Sequence, residues 1–484
     1  MTTYTTNTRH PRLRSAQVDR AAGVLLAGAV GDALGVPYEF APRFTGDPQM
    51  IGGGLGPYEP GEYSDDTQMA VCVAEVAATG VDLSSTEALD AIADRFLDWR
   101  HNGASDIGSS TSAAMRGIQP GMGSAARMAA NARRVYETTG LGGGNGGLMR
   151  TGVVALTALG DRDATAAAAR AVCELTHAEP RAAESCILWC EAVRVAVIEG
   201  RFDLAGGLDL LPDESRDFWA ARISEATGAD PAAWRSNGYT VTAMQAAWAA
   251  ITATIDADRT FDCDHLVVAL FAAAHAGHDT DTVAAIAGAL LGARWGASAV
   301  PARYRRLVHG WPGLDSSDLV RLAVLTARGG HPDDTGWPAA DDHSYHGWSW
   351  PMAVPHPYDE GVLLGTISTP DHGCDAVVTL CRRGRVRDPR IAREDQVDVW
   401  LLDKDNPAKN PNLVFVFDDT AKVIKQLRDE GKTVFVHCVA AEQRTPSVAI
   451  AYARLLGASK SEACSAVRET LPGARGRGYL WEIA

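Results

Sequence analysis

From about Val18 to about Ala327, apolar residues recur every three or four positions. The segments RAAGVLLAGAVGDALG, DTQMAVCVAEVAA, ALDAIADRFLDW, TAMQAAWAAITATI and DTVAAIAGALLGARWG follow this spacing, which is that of a helix burying one face. Several are apolar almost all round, as expected of helices inside a large helical domain. Strand-like alternation is rare and no fixed-period repeat is visible, so this region is predicted to be an all-α bundle. The texture then breaks. ARGGHPDDTGWPAADDHSYHGWSWP is dense in Gly, Pro and Asp and reads as a connector. Beyond it, GVLLGTI, DAVVTLC, VDVWLL and KTVFVHC are short apolar runs rich in β-formers, alternating with helical stretches such as TAKVIKQLRDEG and SVAIAYARLLG. That alternation predicts an α/β domain with a central sheet. The expected organisation is multi-domain: an all-α bundle over 18–328, a linker over 329–344 and an α/β domain over 345–484.

Length agrees with this division. A chain of 484 residues has room for two domains, each with its own core. Hydrophobic residues make up 46% and charged residues 22%, a globular composition and not a disordered one. The formal net charge of -15 excludes a general attraction to nucleic acid or to an anionic membrane. No apolar run is read as long enough to span a bilayer, and the polar N-terminus MTTYTTNTRHPRLRSAQ has no signal core. Nine cysteines are scattered through the chain, and Cys186 and Cys190 sit four apart on an expected helix. Reduced thiols and a cytoplasmic location are therefore expected.

Two acidic clusters each precede an apolar helix: Ser64-Asp65-Asp66-Thr67 and Asp279-Thr280-Asp281-Thr282. Either alone suits helix capping, since Asp, Ser and Thr at a helix start accept backbone N–H groups. Together they offer four carboxylates and four hydroxyls. If the fold unites them, that much negative charge calls for a hard cation, and oxygen ligands suit Mg2+ or Mn2+.

These clusters belong to a longer series: Gly31-Asp32-Ala33-Leu34-Gly35 with Glu39, Ser64-Asp65-Asp66-Thr67, Asp106-Ile107-Gly108, Asn145-Gly146-Gly147-Leu148-Met149-Arg150, Thr176-His177 and Asp279-Thr280-Asp281-Thr282. In kind and order the series resembles the ADP-ribosylglycohydrolases related to dinitrogenase-reductase-activating glycohydrolase, over roughly residues 18 to 300. The resemblance implies an all-α bundle holding two Mg2+ ions beside the ribose of ADP-ribose. By position it implies Ser64, Asp65, Asp66, Asp279, Asp281 and Thr282 as metal ligands and Glu39 as an acidic residue near them. Asp106, Gly147 and His177 would line the substrate site. His278 departs from the pattern, standing where many members carry Gly or another small residue. Cleavage at the ribosyl carbon develops oxocarbenium character and needs a directed water. Metal ions polarise ribose hydroxyls and acidify water. Asp66 or Glu39 could manage the proton. The Gly-rich stretch 141–147 is read as a loop whose backbone approaches the diphosphate.

A second constellation lies near the C-terminus. Thr433–His437 reads as a buried strand, Cys438–Arg444 as a loop, and Thr445-Pro446 as a helix start. Strand, loop and helix start aim N–H groups at an anion, and a Cys and an Arg six residues apart supply a thiolate and a bidentate clamp. The CxxxxxR pattern resembles the protein tyrosine and dual-specificity phosphatases, roughly from Gly361 onward. The resemblance implies Cys438 as nucleophile, Arg444 as phosphate clamp, Thr445 as the hydroxyl that assists thiolate departure and His437 as a tuner of the Cys. Asp405 is the expected general acid, with Asp403 the runner-up. Ala441 replaces the family's usual Gly and Gln443 its common Ser. The expected function is a bifunctional hydrolase acting on an ADP-ribosylated protein, nucleic acid or small molecule and on a phosphorylated substrate. The alternative keeps the hydrolase and makes the C-terminal domain a non-catalytic phosphate-binding module.

Overall fold

Glycine placement decides how the helical part packs. The structure, a computed structural model, describes residues 10–341, 345, 347–385 and 387–484. Helix Ser15–Gly35 lies against helix Thr280–Trp295 at backbone contact. A Cβ on Gly23 would lie 2.4 Å from the Gly292 carbonyl oxygen, one on Gly31 2.2 Å from that of Ala284, and one on Gly35 2.3 Å from the Asp281 Cα. From the other side, a Cβ on Gly288 would lie 2.2 Å from the Ala27 carbonyl oxygen. Only residues without side chains permit this approach. Its chemical result is that Asp32, between Gly31 and Gly35, is carried up to Asp281.

Around this pair stand helices Asp65–Ala77, Thr86–Asn102, Pro180–Glu199 and Thr240–Ala253. The apolar periodicity located all of these except Pro180–Glu199, which Cys186 and Cys190 pointed to. Trp99, Trp189 and Trp219 are fully buried, and each indole N–H has an acceptor: Gln68 Oε1 at 2.6 Å, the Ile286 carbonyl at 3.2 Å and Glu184 Oε2 at 2.7 Å. Buried indoles need such partners. The stretch Ser15–Tyr38 is, by length and composition, apolar enough to cross a membrane, which corrects the expectation that no run is. Inside the protein, however, 83% of its most apolar window is buried, and a core helix of this kind carries the same signal.

The described residues form two units, 10–300 with 307–331, and 301–306 with those from 332 to 484. In the second unit a five-stranded sheet runs Ala353–His356, Asp359–Thr366, Val434–Cys438, Ala376–Thr379, Gln396–Asp398; the first pair is antiparallel and the rest parallel. Val434–Cys438 is buried at every position, as a central parallel strand should be. The edge strand Ala353–His356 was not anticipated. Its Pro355 breaks a strand signal and is tolerated only at an edge or bulge, and the register shifts between Pro355 and His356.

Two segments belong to the second unit against their texture. Residues 332–340, expected as linker, carry Trp337, which is buried under the Arg382 guanidinium 3.8 Å from its ring centre. Asp333 pairs with the same Arg382 at 3.0 Å. Residues 342–344 of the expected linker lie outside the described residues. Pro301–Arg306, expected as part of the helical domain, joins the second unit through Arg306, which pairs with Glu430 at 2.7 Å and Asp395 at 3.1 Å.

Candidate active sites

Ser64 and Asp279 stand at the N-cap positions of helices Asp65–Ala77 and Thr280–Trp295, yet neither side chain makes a cap bond. Capping alone therefore does not account for them. The Ser64 hydroxyl faces three carboxylates instead: Asp32 Oδ1 at 2.8 Å, Asp66 Oδ2 at 3.1 Å and Asp281 Oδ2 at 3.3 Å. A hydroxyl has one proton to donate, so oxygens there outnumber donors. Oxygens of Asp32, Asp66 and Asp281 lie within 4.8 Å of one another, and so do those of Glu39, Asp279 and Asp281. Asp66 Oδ1 is buried with no hydrogen-bond partner. Thr282 supports Asp66 and Asp279 through its side chain. Asp65 stands outside both triads, in the field of Asp106, Asp32 and Asp279.

Burial first, and then the neighbouring carboxylates, push Asp65, Asp66 and Asp281 well above the usual carboxylate range. The same causes, with Asp279 and then Asp106 the strongest of the charges, raise Glu39 to about 8. Carboxylates crowded in low dielectric either hold protons or bind a cation. The all-oxygen donor set, the orphaned Asp66 oxygen and the paired triads fit a hard divalent ion.

Sequence reasoning named two residues here only as motif members and gave them no role. Asp32 is fully buried and accepts four hydrogen bonds, from Ser64 N at 2.9 Å and Oγ at 2.8 Å and from Thr67 N at 3.0 Å and Oγ1 at 2.6 Å. It ties the SDDT segment to the first helix. A lone Asp inside an apolar helix was its signal. Asn145 donates to Asp279 Oδ2 at 2.7 Å, so it is the member of the Gly-rich loop that reaches the acids.

The residues expected to line the substrate site are placed differently from one another. Asp106 is partly exposed. Gly147 is buried where a Cβ would lie 2.7 Å from Cys173 Sγ, a packing constraint in itself. His177 is buried, and its Nδ1 meets Thr176 Oγ1 at 2.7 Å. Arg150 donates to the same hydroxyl at 2.7 Å. Burial lowers the His177 pKa to about 3, so the imidazole is neutral. The loop rests on this ring: a Cβ on Gly146 would lie 3.1 Å from its Cε1. His278 is exposed with φ 61, a left-handed conformation that explains why a small residue suits its position.

In the second unit, the strand Val434–Cys438 delivers Cys438 at its end, and helix Arg444–Leu455 begins two residues earlier than expected, with Gln443 and not Thr445 at the N-cap. Cys438 and Arg444 are both buried. Arg444 donates to the Leu401 carbonyl at 3.0 Å and meets Asp403 Oδ2 at 3.4 Å, while its Nε has no partner. Ala441 takes φ 54, the left-handed conformation in which a Cβ is strained. The Thr445 hydroxyl is 3.5 Å from the Gly365 carbonyl. His437 Nε2 meets Thr379 Oγ1 at 3.0 Å, and burial lowers its pKa to about 3. Asp405, the expected general acid, is exposed, and its carboxylate accepts the Tyr479 N–H at the start of helix Tyr479–Ile483. A carboxylate at a helix N-terminus is held there by the dipole. The acid that meets the loop's arginine is Asp403.

The all-α fold and its carboxylate centre define a hydrolase of the class expected for the first unit. Residues 13–333, well over half the chain, match the family described as ADP-ribosylglycohydrolase, and the chain belongs to that family. The chain is 27% identical over 299 residues to the ADP-ribosylarginine hydrolase Tri1 of Serratia proteamaculans, covering 59% of this chain and 74% of that one. It is 29% identical over 299 residues to the ADP-ribosyl-[dinitrogen reductase] glycohydrolase of Rhodospirillum rubrum, covering 58% and 88%. Among solved structures, Tk-PTP in its active form is 23% identical with a TM-score of 0.24, covering 28% of this chain and 94% of that one.

Proposed function

We propose that the first unit cleaves the ribosyl linkage of ADP-ribosylated proteins with Mg2+, or Mn2+, held by Asp66, Asp279 and Asp281 together with Ser64, Asp65 and Thr282. The observation that carries the reading is the pair of N-cap side chains that forgo capping to face a cluster with an orphaned carboxylate oxygen. The names of the two relatives support a protein-linked ADP-ribose as substrate. Asp32, with all four of its hydrogen bonds spent on Ser64 and Thr67, positions the ligands. When bound, the ions polarise the ribose hydroxyls and acidify water. Glu39, with a pKa near neutrality and partial exposure, is placed to hold or release a proton at the reacting bond. Asp66, also among the acids, is the alternative.

The second unit is proposed as a cysteine-dependent phosphatase. The Cys438 thiolate attacks phosphorus, Arg444 binds two phosphate oxygens, and Asp403 protonates the departing oxygen; water then releases phosphate from the thiol. Turnover needs a reduced thiol, and all nine cysteines are free, which supports a reducing compartment such as the cytoplasm. A phosphate-binding module without turnover is the second reading, favoured by the strained Ala441. Incubating the full chain with ADP-ribosylated Arg, Ser, nucleic-acid and O-acetyl substrates, with and without Mg2+, tests the first reading. Release without metal refutes the metal assignment, and no release from any substrate refutes the hydrolase assignment. Aryl phosphate hydrolysis by wild type and Cys438→Ser decides between the two readings of the second unit.

A further inference from the structure

Tyr58 is used by none of the chemistry above. The residue is 6% exposed, and its hydroxyl is buried without a hydrogen-bond partner. Buried tyrosine hydroxyls ordinarily find one, and an unmade bond destabilises the fold. The segment before it is built to hold the ring in place. Gly52, Gly53 and Gly54 take φ values of 71, 87 and 75, three successive left-handed residues that a side chain would strain. Gly53 N donates to the Tyr58 carbonyl at 2.9 Å and closes the turn. A Cβ on Gly54 would lie 2.4 Å from the Val36 carbonyl oxygen, and one on Gly56 would lie 2.7 Å from the Tyr58 ring and 3.1 Å from the Ser105 Cβ. The loop therefore lies on the segments that lead to Glu39 and to Asp106. Its phenol stands in the field of Asp65, Asp32, Asp281 and Asp106, and burial and those charges keep it protonated.

We propose that Tyr58 is a substrate-binding residue of the carboxylate centre, its hydroxyl donating a hydrogen bond to an oxygen of the ADP-ribose moiety. The inference rests on the ADP-ribosyl reading of that centre. Crowded carboxylates repel an oxygen-rich, anionic ligand, whereas a neutral donor held in their field offers an acceptor oxygen a partner. The acceptor is a ribose hydroxyl or a diphosphate oxygen, which share this chemistry.

Tyr58→Phe removes the hydroxyl and keeps the ring. Calorimetric titration of the full chain in Mg2+ with ADP-ribose and with ADP, together with the Tm of ligand-free protein, forms the test. The expected result is an ADP-ribose Kd raised about tenfold, with the ligand-free Tm unchanged or higher because an unpartnered hydroxyl is gone. A matching loss for ADP assigns the bond to the diphosphate or the adenosine ribose; a loss confined to ADP-ribose assigns it to the second ribose. An unchanged ADP-ribose Kd, or a lowered ligand-free Tm, overturns the inference while wild-type binding of ADP-ribose leaves the ADP-ribosyl reading standing. Failure of wild type itself to bind overturns both.

Discussion

The two candidate centres bury polar groups of opposite character. In the first unit, carboxylates of Asp32, Asp66, Asp279, Asp281 and the nearby Glu39 converge on too few donors, and an oxygen of Asp66 has no partner. In the second, Arg444 keeps an unpartnered Nε beside a loop that turns from Cys438 into a helix N-terminus. A buried charged group left short of partners is costly wherever it sits. The first centre answers with a demand for a cation, the second with a demand for an anion. Each also holds a residue at a local cost: Glu39, whose pKa burial and then like charges raise to about 8, and Ala441, held left-handed by its loop. Local cost concentrated at such positions is a mark of function.

The comparison breaks most severely if the centres are not independent. Asp281→Asn takes an oxygen ligand shared by both acidic triads. ADP-ribose release should fall by more than about a hundredfold, since even outer partners of a metal cost ten- to a hundredfold. Aryl phosphate hydrolysis by the same variant should be unchanged, and Cys438→Ser should show the reverse pattern. Assaying both reactions on both variants checks this; a joint loss would mean that one centre serves both.

A smaller effect separates the two aspartates of the second unit. Asp403→Asn should slow aryl phosphate hydrolysis by roughly a hundredfold, as loss of a general acid does. Asp405→Asn should leave turnover unchanged and lower stability by about 1 kcal/mol or less through the helix Tyr479–Ile483. Steady-state rates and urea midpoints of the two variants decide the assignment.

The charge contrast also predicts a pH dependence. The folded pKa of Glu39, about 8, lies above its ordinary value. Its contribution to stability is present at low pH and is lost as pH rises toward about 8. The raised Asp65, Asp66 and Asp281 act in the same direction. Chelator-treated protein should therefore lose Tm between pH 5 and 8, and Mg2+ should restore more of it at pH 8 than at pH 5. Thermal melts across that range measure it, and an equal gain at both pH values would refute charge crowding as the cause.

Ala441→Gly should give the smallest change. Relief of left-handed strain contributes about 1 kcal/mol, and the greater freedom of Gly in the unfolded chain offsets roughly 0.5–1 kcal/mol of it. Urea midpoints should nearly coincide. A rise in phosphatase turnover would show that the strain limits catalysis, and no rise would favour the binding-module reading.

Periodicity and motif order determined the helical bundle, the α/β domain, the SDDT and DTDT acids and the Cys438–Arg444 loop, because each is written in residues close together along the chain. The resemblance also marked position 441, where Ala replaces the family's usual Gly, and the structure gives it a left-handed φ of 54. Tertiary structure alone decided the rest. Asp32 became an anchor only when Gly31, Gly35 and their partners let two helices touch, and spacing along one helix carries no record of a second. The sequence ranked Asp405 above Asp403, but Asp403 meets Arg444 and Asp405 a helix start far along the chain. Residues 301–306 and 332–340 join the second unit through Arg306 and Trp337, although their composition suggested otherwise. Composition reports the average character of a segment, whereas a single buried ion pair or ring decides where it packs.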